Sequence, residues 1–384
     1  MAVIIGVARE SAPGERRVAL TPETAKKLVA AGAVVHAQRG LGALARFPDQ
    51  AYADAGAELV DGDVLSGADV VLCVQSPPAA AIATMKQGAV LVGALHPQAD
   101  EARAAAIRER GVVAFPLERL PRTTRAQAMD VLSSQAGMAG YKAVLAAAWL
   151  APRFFPMLTT AAGTSAPARV LVLGAGVAGL SAIATARRLG AVVIAFDVRP
   201  QAREEVRSLG ARFLDLEGVG PAEGEGGYAR ALTEAEQRRL VAEIARHLAE
   251  FDVVITTAQV PGRRPPLLVS AEGLARMAPG SVVVDLAAGE AGGNVEGVAA
   301  GQRVTGRGVT VIGAGNAPAA MATGASEAYA RNLSALLAHL VRDGELQIDL
   351  SDEIQAGVVV THGGEVVHPA VTASLAAAVT EGAR

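Results

Sequence analysis

The run Arg169-Val170-Leu171-Val172-Leu173-Gly174-Ala175-Gly176-Val177-Ala178-Gly179-Leu180 decides how this chain is read. Its first five residues are a short apolar stretch with the length and composition of a buried parallel strand. The small-residue segment from Leu180 to Leu189 reads as a helix that stops at Gly190. The glycines between them fall as G-x-G-x-x-G, and strand, glycine turn and helix together make that spacing a dinucleotide fingerprint. Gly174 permits the tight turn, Gly176 lets the backbone approach a pyrophosphate, and Gly179 lets helix and strand pack closely. Val177, Ala178 and Gly179 open the helix, whose unpaired N–H groups and partial positive charge suit an anion. A second strand, Ala191 to Phe196, ends in Asp197, 18 residues after Gly179, where a carboxylate reaches the adenosine ribose hydroxyls. Val198 and Arg199 complete this candidate nucleotide site. The plainer alternative is an ordinary glycine turn in an α/β sheet, but strand, helix and acid in one register favour the nucleotide. Asp197 repels a 2′-phosphate and so favours NAD over NADP, although Arg199, two residues on, is of the type that accepts that phosphate.

Working outward, 384 residues suffice for two domains, each with its own core. Before the fingerprint, the apolar runs 3–8, Val34–Gln38, Val70–Val74, Val90–Ala94 and Val112–Phe115 alternate with helical segments. One of these helices is capped by Thr21, with Pro22 at its first position, and stops at Gly32. The pattern predicts βα units on a parallel sheet with no phosphate fingerprint. A helix dense in Ala and Gly follows, Asp130 to about Leu150. Later strands are expected at Val253–Thr257, Val282–Leu286 and Val309–Ile312, then a long helix over Ala319–Val341, a short strand Gly357–Thr361 and a terminal helix Pro369–Val379. The fold class is therefore α/β: two Rossmann-like domains with parallel sheets, the second carrying the fingerprint, joined by long helices. Residues 1–135 with 325–384 form the first domain and 136–324 the second. A second glycine cluster, Gly313-Ala314-Gly315-Asn316-Ala317-Pro318, has proline where the third glycine belongs and reads as a loop at a strand end, with a second nucleotide site as the less favoured alternative. Five glycines between 218 and 227 mark a segment that builds no core: an idle surface loop, or a flap over bound nucleotide anchored by Tyr228.

No run of about 18 apolar residues occurs, so no membrane span is expected. The N-terminus starts directly as a strand without a charged leader region. A formal charge of -3 with both signs scattered along the chain argues against nucleic acid. The lone Cys73 excludes an intrachain disulfide and fits a cytoplasmic compartment.

Hydride transfer from an alcohol or amine needs a general base, and candidates are scarce. His96 follows a strand, but a structural role fits it equally. Asp285 ends a strand and is followed by small residues. The loop Pro121-Arg122-Thr123-Thr124-Arg125-Ala126-Gln127-Ala128-Met129-Asp130-Val131-Leu132-Ser133-Ser134 concentrates polar groups instead. Gln127 offers an amide to a carboxamide or ribose, and Arg122 and Asp130 can pair. Composition alone favours a helix N-terminal region there, with Asp130 as cap.

That loop, together with Gly174–Leu180, Phe196-Asp197-Val198-Arg199-Pro200, Gly227-Tyr228-Ala229, Thr256-Thr257-Ala258 and Val283-Val284-Asp285-Leu286-Ala287-Ala288, resembles the NAD(H)-binding component of proton-translocating nicotinamide nucleotide transhydrogenases, over nearly the whole chain and in the same order. The resemblance implies that Gln127 contacts the nicotinamide end, helped by Arg122, Asp130 and Ser133. It implies that Gly176 to Gly179 hold the pyrophosphate, that Asp197 takes the adenosine ribose, that Gly227 and Tyr228 belong to a mobile loop, and that Gln259 joins the nucleotide site. It further implies a homodimer that exchanges hydride with NADP(H) on a separate component. Proton movement would be coupled through a separate transmembrane subunit, with this chain peripheral on the cytoplasmic face. Ring-to-ring transfer removes no substrate proton, so the scarcity of bases fits. The chain also resembles alanine dehydrogenases, which share the fold. Arg17-Val18-Ala19-Leu20-Thr21-Pro22 carries their carboxylate-binding arginine, and His96 matches their catalytic histidine. Gln75 stands where they have a substrate-binding lysine, and Gly289 where they have a catalytic aspartate; both differences argue against amino-acid chemistry.

Overall fold

A computed structural model describes residues 2–96, 100–222, 224, 230–259, 264–289, 292–301, 303–342 and 344–368. It divides into two compact units, one of Met1–Gln135 with Met321–Arg384 and one of Ala136–Ala320.

In the first unit six parallel strands, β1 (Ile4–Val7), β2 (Val34–Gln38), β3 (Glu58–Val60), β4 (Val70–Gln75), β5 (Val90–Ala94) and β6 (Val113–Pro116), lie in the order β3-β2-β1-β4-β5-β6. The order reverses between β1 and β4, the doubly wound arrangement. The helix Pro22–Ala30 starts as the sequence indicates, with the Thr21 side chain accepting from the Thr24 N–H and Pro22 at its first position. The long helix Ala322–Leu340 buries Ala325, Tyr329, Leu333, Leu336, Leu337 and Leu340 at three- and four-residue spacing, one face of a helix. That face joins Ile5, Val7, Leu72, Val92 and Phe115 of the sheet in a single core. Each fully buried side chain of this kind contributes about 1.5–3 kcal/mol.

Where the β4–β5 register shifts, between Leu72 and Gln75, side chains take over the orphaned backbone groups. The Tyr329 hydroxyl donates to the Cys73 carbonyl at 3.0 Å. The Val74 and Gln75 N–H groups donate to the Glu10 carboxylate at 2.6 and 3.0 Å.

The second unit opens with the helix Val131–Leu150 from Ala136 onward, followed by a hairpin of β7 (Leu158–Thr160) and β8 (Gly163–Ser165). Its sheet contains β9 (Arg169–Leu173), β10 (Val192–Phe196), β11 (Arg212–Phe213), β12 (Val253–Thr256), β13 (Val282–Asp285), β14 (Arg303–Gly306) and β15 (Val309–Gly313), in the order β11-β10-β9-β12-β13-β15-β14. Here the reversal lies between β9 and β12. Strands β12 and β13 are buried along their lengths and β9 from Val170 onward, as mainly apolar strands covered on both faces must be.

Three features differ from the sequence expectation. Neither sheet is purely parallel. β14 runs antiparallel to β15, and Thr361–His362 with Glu365–Val366 form an antiparallel edge on β6. Both edges are two-residue hairpins whose central residues, Arg307-Gly308 and Gly363-Gly364, all have positive φ, the turn whose twist matches antiparallel strands. Gly357 is not in a strand: the helix Glu353–Val358, capped by Asp352, occupies that position and the strand begins at Thr361. The long helix is preceded by a 3₁₀ turn at Ala317–Met321 rather than starting at Ala319. The terminal helix expected over Pro369–Val379 lies outside the described residues.

Two consequences are measurable. Tyr329→Phe should cost about 1–3 kcal/mol, because it leaves the buried Cys73 carbonyl without its donor, and the urea midpoint checks it. Glu10, pushed by burial up to about 7 against the pull of its two N–H bonds, gives a pH dependence. Between its ordinary value of 4.5 and about 7, the folded chain holds a proton that the unfolded chain has released, so this group lowers stability as pH rises through that window. Glu10→Gln should flatten that slope in unfolding midpoints measured across it.

Candidate functional site

The fingerprint turn in the second unit explains each of its glycines. Gly174 has φ 96°, and a Cβ there would come within 2.6 Å of the Thr257 hydroxyl. Gly179 sits where a Cβ would lie 1.9 Å from the Gly174 carbonyl oxygen, so the first turn of the helix Val177–Arg188 rests directly on the end of β9. Around Gly176 a Cβ would meet nothing within 4 Å. That glycine faces open space, with no side chain capping the helix it precedes. Val177 is exposed, whereas Ala178 is half-buried and Gly179 buried. Open N–H groups at a helix start, backed by the helix dipole, are a receptor for an anionic group. The turn also lies where the strand order reverses, the place where open α/β sheets bind ligands.

Asp197 follows β10 with its side chain only 8% exposed. One carboxylate oxygen accepts from the Ala175 N–H at 2.8 Å, which fixes it to the glycine turn. The other accepts from the Arg199 N–H at 2.9 Å. The Arg199 guanidinium closes on both oxygens, Nε to Oδ1 and Nη2 to Oδ2, each at 3.0 Å. That fork is the strong bidentate geometry, and the bond to Asp197 raises Arg199 further above its ordinary value. Val198 is half-buried against the neighbouring core, and its carbonyl accepts from Ala222 N–H at 2.9 Å.

A buried polar layer supports the turn. The Thr257 hydroxyl donates to the Gly174 carbonyl at 3.0 Å. Asn294, fully buried, accepts from the Ala258 N–H and donates to the carbonyls of Ala258 and Pro266. Gln259 extends beyond it and donates to the Leu286 carbonyl at 3.2 Å. Asp285 is fully buried and accepts from Thr256 Oγ1, Ala287 N–H and Val295 N–H. Burial pushes it above the ordinary carboxylate range even though those donors pull it down. With no surface exposed, it is a strut rather than a base. Sequence reasoning passed over Asn294, which carries no motif. Gly227 and Tyr228 lie outside the described residues. At the second glycine cluster, Cβ atoms on Gly313 and Gly315 would each lie 1.9 Å from a carbonyl oxygen, Ala299 and Ala288 respectively. Those glycines serve close packing at the end of β15.

The polar loop belongs to the first unit. Thr124–Met129 form a 3₁₀ turn pinned by buried Ala126 and Met129, which leaves Arg122 and Gln127 exposed. Asp130 and Ser133 are brought together: the Asp130 carboxylate accepts from the Ser133 N–H at 3.0 Å and its hydroxyl at 2.5 Å, capping the helix Val131–Leu150. Near the reversal between β1 and β4, Arg17 donates to both oxygens of Glu15 (2.8 and 2.6 Å) and to Gln135 at 2.8 Å, while Gln75 donates to Glu15 at 3.2 Å. Burial works to raise Glu15, but its bonds to Arg17 outweigh that and hold it at about 2. His96 has φ 41°, an exposed side chain and its N–H on the Glu118 carboxylate at 2.6 Å.

Sheet order, glycine geometry and the strand-end carboxylate define the second unit as a Rossmann-type dinucleotide-binding domain. Comparison with known proteins agrees over nearly the whole chain. The N-terminal domain model of the alanine dehydrogenase/PNT family matches residues 6–139 and the C-terminal model residues 143–369. An NAD(P) transhydrogenase subunit alpha polypeptide of Rhodospirillum rubrum is 44% identical over 96% of this chain and 98% of its own length. The crystal structure of a transhydrogenase from Sinorhizobium meliloti superimposes with a TM-score of 0.83 at 45% identity, covering 96% of this chain and 99% of that one. An alanine dehydrogenase of Bacillus subtilis is 28% identical over 76% of this chain and 72% of its own length. The chain belongs to the alanine dehydrogenase/PNT family and, within it, to the NAD(P) transhydrogenase alpha subunits.

The Asp197–Arg199 fork makes a specificity prediction. Asp197→Asn removes the charge that repels a 2′-phosphate and loosens the guanidinium that can accept one. NADH affinity should fall about tenfold or more, roughly 1.4 kcal/mol, while NADPH affinity rises; titration of both nucleotides checks it.

Proposed function

We propose that this chain binds NAD(H) as one component of a proton-translocating transhydrogenase, and that hydride passes directly between its nicotinamide and NADP(H) held on a partner component. The observation that carries the reading is the state of Arg17. An amino-acid oxidoreductase of this fold would present that guanidinium to a substrate carboxylate. Here Glu15 and Gln135 engage it inside the protein, and Gln75, not lysine, completes the cluster. Among the strand-end candidates, Asp285 is sealed. Transfer between two nicotinamides requires no proton abstraction, so a site that orients rings and excludes water is sufficient.

In this reading the backbone of Gly176 to Gly179 receives the pyrophosphate, Asp197 the adenosine ribose, and Arg199 braces Asp197. Gln127 positions the nicotinamide, with Arg122, Asp130 and Ser133 shaping its loop. Gly227, Tyr228 and Gln259 belong to the same nucleotide site. NAD(H) is bound by this chain and NADP(H) by the partner. Proton coupling resides in a transmembrane subunit, with this chain at the cytoplasmic membrane surface. Among the described residues no helix is long and apolar enough to cross a membrane, in keeping with that division.

A homodimer has its own support. Trp149, Phe154 and Met157 are 87%, 57% and 63% exposed, just before a hairpin whose two strands are exposed almost throughout. A two-stranded hairpin is marginal by itself, and a large exposed apolar group marks an interface; a second copy of this chain would cover both.

The test mixes the purified chain with a separately made NADP(H)-binding component and follows NADPH reducing an NAD analogue. Rapid transfer only when both proteins are present is expected. Gln127→Ala should lower it about 10- to 100-fold, the cost of a misplaced ring, with little change in NADH affinity. Alanine-dependent NAD reduction by the chain by itself would overturn the reading in favour of an amino-acid dehydrogenase.

A further inference from the structure

Ala128 in the polar loop turns its carbonyl to the helix Ala322–Leu340 of the same unit, and Asn332 on that helix meets it. The Asn332 Nδ2 donates to the Ala128 oxygen at 2.7 Å, and the Ser134 hydroxyl donates to Asn332 Oδ1, also at 2.7 Å. A carbonyl can only accept, so the amide orientation is fixed, and Oδ1 is left to receive the hydroxyl. One half-buried side chain thus ties residues on both sides of the Met129–Ser133 stretch, one next to Gln127 and the other next to Ser133. Seven residues further along, on the same face of the helix, His339 Nε2 lies 2.9 Å from one Asp352 oxygen. The other Asp352 oxygen takes the Arg125 guanidinium at 3.1 Å. The 3₁₀ turn that bears Gln127 is therefore held from outside at two places, by side chains on or bonded to one helix face.

We propose that Asn332 is a positioning residue for the transfer reaction: it fixes the backbone of the Gln127 turn, so that the exposed amide of Gln127 is presented in one orientation. This inference rests on the transhydrogenase reading for its consequence, while the clamp itself is a property of the chain without ligand. Short 3₁₀ turns have poor internal hydrogen-bond geometry. With Gln127, Ala128 and Arg125 all exposed, buried Ala126 and Met129 define the turn's depth but not the direction of the residues between them. The Asn332 bond to Ala128 supplies that direction.

The experiment uses Asn332→Ala in the full chain. Without the partner component, hydrogen exchange at the amides of residues 126–130 should speed up about tenfold or more, as a local opening that has lost its tether, while amides of β1 and β4 keep their wild-type rates. With the partner component, kcat for hydride exchange should fall about tenfold with KM for NADH within about twofold, the signature of lost orientation rather than lost binding. In a Gln127→Ala background the same substitution should lower kcat by less than about twofold, because two residues that act through one element are not additive. Ser134→Ala, which removes one of the two bonds, should give a smaller effect in the same direction.

Loop amides that exchange at the wild-type rate overturn the clamp. A tenfold loss that persists in the Gln127→Ala background overturns the positioning role, since a structural defect would add. If the wild-type chain and its partner transfer no hydride, the activity reading is what fails, and the exchange measurement still decides on Asn332.

Discussion

The close approach between the Gly174 carbonyl and Gly179 is the contact on which the nucleotide end of the second sheet depends. A methyl group at Gly179 would overlap that oxygen, so the helix would have to lift from the strand. Lifting it would move the N–H groups that face open space around Gly176 and displace Ala175, whose N–H holds the Asp197 carboxylate. Thr257, from the strand across the reversal, bonds the same Gly174 carbonyl. Four elements therefore meet at one peptide, and the absence of a side chain is what lets them meet.

The six parallel strands of each unit follow the same order, with reversals at equivalent places, but the units use them in opposite ways. In the second unit the reversal is left open to an anion by glycine and a helix start. In the first, a carboxylate from the chain itself, Glu10, takes the N–H groups at the end of β4, and the Glu15–Arg17 pair lies next to it. The Val74 and Gln75 N–H groups are thereby already taken and offer nothing to a phosphate. One fold therefore yields an open glycine turn in one unit and an internally filled crevice in the other, a difference set by side chains rather than topology.

Much of this was legible in the residues. The apolar strand runs, the cap at Thr21-Pro22, the fingerprint and the acid after β10 rest on local rules, and local rules survive folding. The antiparallel edges were harder. Arg307-Gly308 is a weak turn signal, and its effect depends on an edge being free to accept a strand. Gly357 fell in a helix because Asp352 caps that helix from five residues earlier, while the valines around it look like a strand. The polar loop was visible as a concentration of Arg, Gln, Asp and Ser, yet what fixes it, Asn332 and Asp352, lies some two hundred residues away in sequence and carries no motif.

The sequence by itself determined the sheet-forming segments, the position of the nucleotide turn and the carboxylate that goes with it, because each follows from the spacing of residues within about thirty positions. Tertiary structure alone decided which polar groups are spent inside the protein and which remain available. Arg17 and Asp285 look like reactive groups in the chain, but packing brings Glu15 with Gln135, and Thr256 with Val295, onto them. The hydrogen-bonding capacity left at a site is a property of neighbours in space.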